Sequence, residues 1–102
     1  MADKILQINF RFSVAPDDYT AAVKEMADDF AALDGLKWKV WIMNELRKEA
    51  GGIYLFKDQA TLDAYLGGPL AAAVTSHPAL ADFSVRQFDV MPDITAVTRG
   101  PV

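Results

Sequence analysis

Residues 4–14, KILQINFRFSV, alternate without a break. Leu6, Ile8, Phe10, Phe12 and Val14 fall on one side of an extended chain, and Ile5, Gln7, Asn9, Arg11 and Ser13 on the other. A period of two predicts a strand with one apolar and one mostly polar face. Beyond Pro16 the period changes. Tyr19, Val23, Met26, Phe30 and Leu33 recur at helical spacing, with Asp17 or Asp18 placed to cap the start and Gly35 to end it. Such a stripe needs a sheet to lie on.

Residues 36–43 predict a second strand, with Leu36, Trp38, Val40 and Ile42 on one side and Lys37, Lys39, Trp41 and Met43 on the other. NELRKEAGG reads as a polar, glycine-ended connection, and Ile53 to Phe56 as a third strand. Asp58 is placed to cap a short helix reaching Leu66. Gly67 and Gly68 interrupt it, and Pro69 suits the first turn of a further helical piece, LAAAVTS, which ends at His77 and Pro78. A last strand runs from about Phe83 to Val90, followed by a tail carrying Ile94 and Val97. The order strand, helix, strand, strand, helix, strand is the ferredoxin-like βαββαβ pattern of an α+β fold, a four-stranded antiparallel sheet with helices on one face. One domain spanning residues 1–102 is expected, near the commonest domain size.

That arrangement leaves the other face bare. Trp38 and Trp41 lie three apart in one strand, so their indoles point to opposite sides. Trp38 is expected beneath the helices. The bare face is expected to carry Gln7, Asn9 and Arg11 from the first strand and Lys39, Trp41 and Met43 from the second. Tyr54 and Phe56 from the third and Val85, Gln87 and Asp89 from the fourth complete it. Monomers seldom expose so large an apolar patch. A second copy of the chain, packed sheet to sheet, is the economical cover.

Composition narrows the chemistry. The net charge of −4 argues against a nucleic-acid partner, since phosphate binding needs a basic surface. There is no apolar run long enough to span a bilayer, and the opening MADK has no separate hydrophobic region, so a cytoplasmic address is the default expectation. With no cysteine and one histidine, His77, no transition-metal cage is expected. Gly51-Gly52 precedes a strand and does not form a phosphate loop. His77 before Pro78 reads as an exposed residue at a helix end, with a general-base role as the less ordinary alternative.

The stretch Trp38-Lys39-Val40-Trp41, a polar loop, and then Glu49-Ala50-Gly51-Gly52-Ile53-Tyr54-Leu55-Phe56 resembles the signature of the YdhR-type mono-oxygenases. The resemblance continues more weakly through Ala64-Tyr65-Leu66 and Phe88-Asp89-Val90. It implies a dimeric α+β barrel, a homodimer whose relatives oxidise polycyclic phenols with O₂ and without flavin or metal. On this reading no cofactor is expected, and a small aromatic phenol or quinol binds in a pocket between helices and sheet layers. Trp41, Tyr54 and Phe56 would stack on the ligand, with Lys39 and Trp38 beside them; the alternative for Trp41 and Tyr54 is packing in the dimer interface. Asn9 and Arg11 would be catalytic, Arg11 holding a phenolate or developing peroxide anion and Asn9 a carbonyl. The alternative for Arg11 is an ion pair with Asp89 or with Glu49 of a second copy. Two other functions compete: a non-catalytic small-molecule-binding dimer and a haem-degrading mono-oxygenase. For haem chemistry Asn9 matches a first-strand asparagine, but the third strand ends in Phe56, where a tryptophan stands in those enzymes. The helix Asp58 to Leu66 has no histidine.

Overall fold

The first strand forms as its alternation requires: Leu6, Ile8, Phe10 and Phe12 are buried in β1 (Lys4–Phe12), and the residues between them face away from the core. The computed structural model describes residues 3–102. After β1 come α1 (Pro16–Lys24), α2 (Ala27–Ala31), β2 (Leu36–Asn44) and β3 (Glu49–Phe56). The chain continues through α3 (Gln59–Leu66), α4 (Pro69–Thr75), β4 (Leu80–Asp89) and α5 (Pro92–Val97). The strands form one sheet in the order β2-β3-β1-β4, every neighbouring pair antiparallel, which is the ferredoxin-like arrangement. Among the described residues no helix is long and apolar enough to cross a membrane.

Local signals succeed where one side chain decides them. The Asp58 carboxylate accepts the Thr61 N–H at 2.9 Å, the N-cap expected for α3. Pro69 opens α4 behind Gly68, and Gly35, at φ 81°, turns the chain into β2. The expected single helix after Pro16 is instead two short ones. Ala15, not Asp17 or Asp18, occupies the N-cap, and the two aspartates lie in the first turn, where the helix dipole favours them without a capping bond. Met26 N–H bonds to the Val23 carbonyl three residues back, and this tight turn separates α1 from α2. Tyr19 and Phe30 still bury themselves against the sheet from either side of that break.

The glycine pair lies inside β3, not in a connection. Gly51 sits opposite Asn9, and a β-carbon there would come within 1.9 Å of the Ile8 carbonyl oxygen. Only glycine lets β1 and β3 close at that point. Glu45 to Lys48 alone make the turn from β2, closed by Lys48 N–H to the Glu45 carbonyl.

Strand parity is where expectation and structure part. Directly paired residues share a face, and Leu6 and Ile8 are core, so their partners Tyr54 and Gly52 face the helices; Phe56 joins them through Lys4. In β2 a bulge between Leu36 and Trp38 adds one residue and reverses everything after it. Leu36 stays with the core, Trp38 turns to the outer face, and Lys39, Trp41 and Met43 turn inward. Val85, Gln87 and Asp89 are also on the helix side, as partners of Ile8, Leu6 and Lys4. Of the residues expected on the bare face, Gln7, Asn9 and Arg11 remain there. The actual outer face carries Val40, Ile42, Ile53 and Leu55, with Ile5 and Phe88 beside them. Leu55 is fully buried although it is not part of the main core. The C-terminal segment returns to this corner, where Trp38 Nε1–H donates to the Pro101 carbonyl at 2.8 Å.

The two glycines of β3 should therefore respond differently to one methyl group. At Gly52 a β-carbon would meet the Lys39 side chain, 2.7 Å from Cε, which can swing away. Gly52→Ala should fold with a melting temperature within a few degrees of wild type. Gly51→Ala should lose on the order of 4 kcal/mol or fail to fold, because backbone must move. Equal thermal melts by circular dichroism would contradict this account of the β1–β3 register.

Candidate functional site

The inward turn of Lys39 and Trp41 builds a cavity. It lies between the helices and the sheet, with a volume of about 70 Å³. Phe10, Trp41 and Tyr54 supply the sheet-side wall, and Tyr19, Met26 and Phe30 the helix-side wall. Among the described residues no carboxylate lines it. The walls are fixed by ring contacts. Phe30 meets Trp41 edge-on at 5.2 Å between centroids, Tyr54 stacks within 6.0 Å of Phe56, and Tyr19 stacks on Phe12 at 5.0 Å. Each such pair adds about 0.5–1.5 kcal/mol beyond the area it buries.

Lys39 is the charged group that this wall surrounds. Its Nζ lies 3.4 Å from the Trp41 ring centroid, 3.5 Å from Phe30 and 4.6 Å from Tyr54. Its stem passes over Gly52, where the missing side chain leaves the necessary room. Among the described residues the ion pairs are Lys4–Asp89, Lys37–Asp3 and Lys57–Asp34, and none includes Lys39. Removal from water holds the amine down to about 7 from its ordinary 10.5. The ring faces work in the opposite direction, because they attract the ammonium form. The amine is thus poised to change charge near neutral pH.

The hydroxyls around it resist ionisation. Tyr54 and Tyr65 are buried and share a hydrogen bond of 3.1 Å between their hydroxyls. Burial raises both above the usual tyrosine range, and the adjoining phenol raises Tyr54 further. Burial likewise pushes Tyr19 up to about 12. His77 stands exposed at the mouth, and its Nδ1 accepts the Ala79 N–H at 3.1 Å. In the neutral ring Nε2 then carries the proton and acts as a donor.

The residues singled out from the sequence are divided between two faces. Lys39, Trp41 and Tyr54 meet in the cavity. Phe56 is fully buried behind Tyr54 and Tyr65 and supports the wall without lining it. Trp38 lies on the outer face, not beneath the helices, because the bulge after Leu36 reverses the parity of β2. Asn9 and Arg11 are also outside. The Asn9 side-chain oxygen accepts from Gln7 Nε2 at 3.0 Å beside a shallow groove touched by Ile42, Asn44 and Glu49. Arg11 is exposed and sits opposite Glu49 in the β1–β3 register. Asp89, the other partner considered for Arg11, is on the helix side with Lys4. His77, Tyr19 and Phe30 complete the cavity. The helical stripe of the sequence already contains the last two, but nothing local shows that His77 reaches the mouth.

A lysine with a lowered pKa leaves a signature in stability. Between its folded and unfolded values the unfolded chain binds the extra proton, so stability should rise from about pH 7 toward 10.5. The tyrosines act oppositely: their raised values make the unfolded chain lose protons first, so the gain should end above the ordinary tyrosine value of 10.0. Lys39→Met should remove a rise on the order of 3 kcal/mol, seen as thermal melts that no longer climb across this window. Parallel pH profiles for the two proteins would refute the desolvated amine.

Several solved structures share this fold. SnoaB, a cofactor-independent oxygenase from Streptomyces nogalater, superposes with a TM-score of 0.71 at 16% identity, over 91% of this chain and 100% of that one. The heme-degrader MhuD from Mycobacterium tuberculosis gives 0.67 at 17% identity, over 87% and 97%. A dimeric ferredoxin-like protein of unknown function from Thermobifida fusca gives 0.68 at 21% identity, over 87% and 92%. At such identities the likeness is one of fold, not of activity. No curated protein matches the chain. The family described as "Putative mono-oxygenase ydhR" matches residues 5–101, and the chain belongs to that family.

Proposed function

We propose that this chain is a cofactor-independent mono-oxygenase that oxidises a small, flat, electron-rich phenol or quinol with O₂. The observation that carries the reading is the cavity itself: aromatic faces on two sides, no carboxylate, and one amine. Aromatic walls stack a planar ligand and keep water away, and a cationic group stabilises the negative charge that appears as electrons pass to oxygen. Family membership and the likeness to SnoaB, a cofactor-independent oxygenase, support it. The reaction balances without an added reductant. A phenol with an unsubstituted para carbon and one O₂ give a quinone and one water, the ring supplying all the electrons.

The working unit in this proposal is a homodimer joined by the outer faces of the two sheets. Val40, half-exposed, and Phe88 are the kind of apolar surface such a layer covers, and the Thermobifida fusca relative in fold is described as dimeric. Asn9 and Arg11 then belong to assembly, with Arg11 opposite Glu49 of its own sheet. Haem degradation is less well served. The only imidazole of the chain, His77, is at the exposed mouth and already accepts a backbone hydrogen bond.

The test separates the two faces. An oxygen electrode with a panel of naphthols, anthrones and quinols should show uptake by wild type without added cofactor. Trp41→Ala should reduce it about tenfold or more, since stacking and burial of one indole contribute roughly 1.5–3 kcal/mol. Arg11→Met should leave uptake per dimer within about twofold but weaken association, and Val40→Asp should dissociate the dimer by burying a charge. Light scattering and oxygen uptake on the three variants decide the matter. No uptake with any of the panel removes the oxygenase reading, and loss of turnover by an intact Arg11→Met dimer would return Arg11 to the catalytic site.

A further inference from the structure

We infer that Lys39 is the catalytic base of the cavity: its neutral amine takes the hydroxyl proton of an acidic phenol or enol, and the resulting ammonium holds the oxyanion in place. The inference rests on the proposed oxygenase reading and deepens it by naming the substrate's reactive group. The step is a single proton transfer. The O–H bond breaks, an N–H bond forms, phenol and amine become phenolate and ammonium, and no electron moves. Its consequence is reactivity, since a phenolate gives up an electron to O₂ far more readily than a phenol does.

Geometry selects Lys39 for this role. Its Nζ lies over the Trp41 and Phe30 rings within the cavity wall, so a hydroxyl on a ring bound in the cavity beside them comes within reach of the amine. An amine among carboxylates would be held protonated in an ion pair, but among the described residues no acid lines the cavity. The titratable groups facing it are few. Tyr19 comes from α1 and Tyr54 from β3, the latter bonded to Tyr65 of α3; His77 lies just beyond α4, and α2 contributes the uncharged Phe30. The buried tyrosines keep their protons under ordinary conditions, and His77 is exposed at the mouth. Lys39 is therefore the group inside that can exchange one. Burial supports this by favouring the neutral amine near pH 7. Once formed, the ion pair is shielded from water by the same rings that receive the ammonium.

A coloured phenol that is not itself oxidised tests the step without turnover. Meta-nitrophenol, added to the intact protein slightly above neutral pH, is mostly undissociated in solution and turns yellow when ionised. Wild type should bind it as the phenolate and release no proton to the buffer, because Lys39 keeps it. Lys39→Arg, whose guanidinium cannot accept a proton, should bind the phenolate and release about one proton per site. Lys39→Met should bind the neutral form, with the ionisation midpoint of the bound probe raised by roughly one unit or more relative to wild type. Gly52→Ala, which crowds Lys39 Cε while leaving the lysine in the chain, should shift that midpoint in the same direction. A probe that fails to bind or stays neutral in wild type overturns the inference. So does a wild type that releases a proton as Lys39→Arg does, since its lysine would then be a fixed cation. Because no oxygen is consumed, the outcomes are separable from those of the functional reading. Phenolate binding without any oxygen uptake would fail the oxygenase and keep the base, whereas full uptake by Lys39→Met would do the reverse.

Discussion

The close approach of β1 to β3 at Gly51 is the constraint on which the rest of this molecule depends. With the Ile8 carbonyl lying where a side chain would begin, position 51 accepts no side chain, and the register there places Tyr54 beside Leu6 and Gly52 beside Ile8. Parity then propagates across the sheet. Through Tyr54 it reaches Lys39, and through Gly52 it reaches Trp41, both turned toward the helices. A slip of one residue would exchange the two faces of β3, placing Ile53 and Leu55 in the core and Tyr54 outside. Fold and cavity are thus set by the same backbone contact.

Much of the architecture is legible in the sequence because single residues or unambiguous periods decide it. The β1 alternation has polar residues on its outer side, Asp58 needs only its own carboxylate to cap α3, and Pro69 starts α4 by its ring alone. The faces of β2 and β3 carry no such mark. Both strands are apolar on both sides, so Leu36-Trp38-Val40-Ile42 and Trp41-Met43 compete as equals for the core, as do Ile53-Leu55 and Tyr54-Phe56. The bulge after Leu36 settles the first contest, and a pattern of period two cannot reveal an inserted residue. The candidate site is legible as a set of residue types in one block of sequence, 38–56, and illegible as geometry. A strict period of two groups Asn9 and Arg11 with Trp41 because it gives all of β2 beyond the bulge the wrong parity. His77 is out of reach for another reason: its place at the mouth depends on where α4 lies over the sheet, a long-range fact.

A lysine inside an aromatic enclosure is a compromise between two opposing tendencies. Desolvation disfavours the ammonium, and the quadrupoles of Trp41, Phe30 and Tyr54 favour it, each exposed ring contact being worth about 0.5–1 kcal/mol and more when water is excluded. A carboxylate partner would resolve the conflict and also fix the charge permanently. Its absence from the cavity lining keeps both protonation states accessible, which is a cost to stability and a property that chemistry can use. Gly52 contributes by omission. A side chain there would occupy the path of the Lys39 stem, so the glycine pair that closes the sheet at one residue opens space for the amine at the next.

The two faces divide the work of the fold. Toward the helices, β3 contributes rings, and its neighbour β2 the amine and an indole. Away from them, the same strands present Val40, Ile42 and Ile53 beside the polar row of Gln7, Asn9 and Arg11. Because residues alternate, a substitution on one face leaves the other's side chains in place while sharing their backbone. The C-terminal segment bears on this division. Its Pro101 carbonyl accepts from Trp38 on the outer face, where Val40 and Phe88 stay about half-exposed. In the proposed homodimer a partner pressed against Val40 would bear on the strand pairing that holds Gly52 beneath Lys39, so assembly on one face would stiffen the backbone that positions the amine on the other.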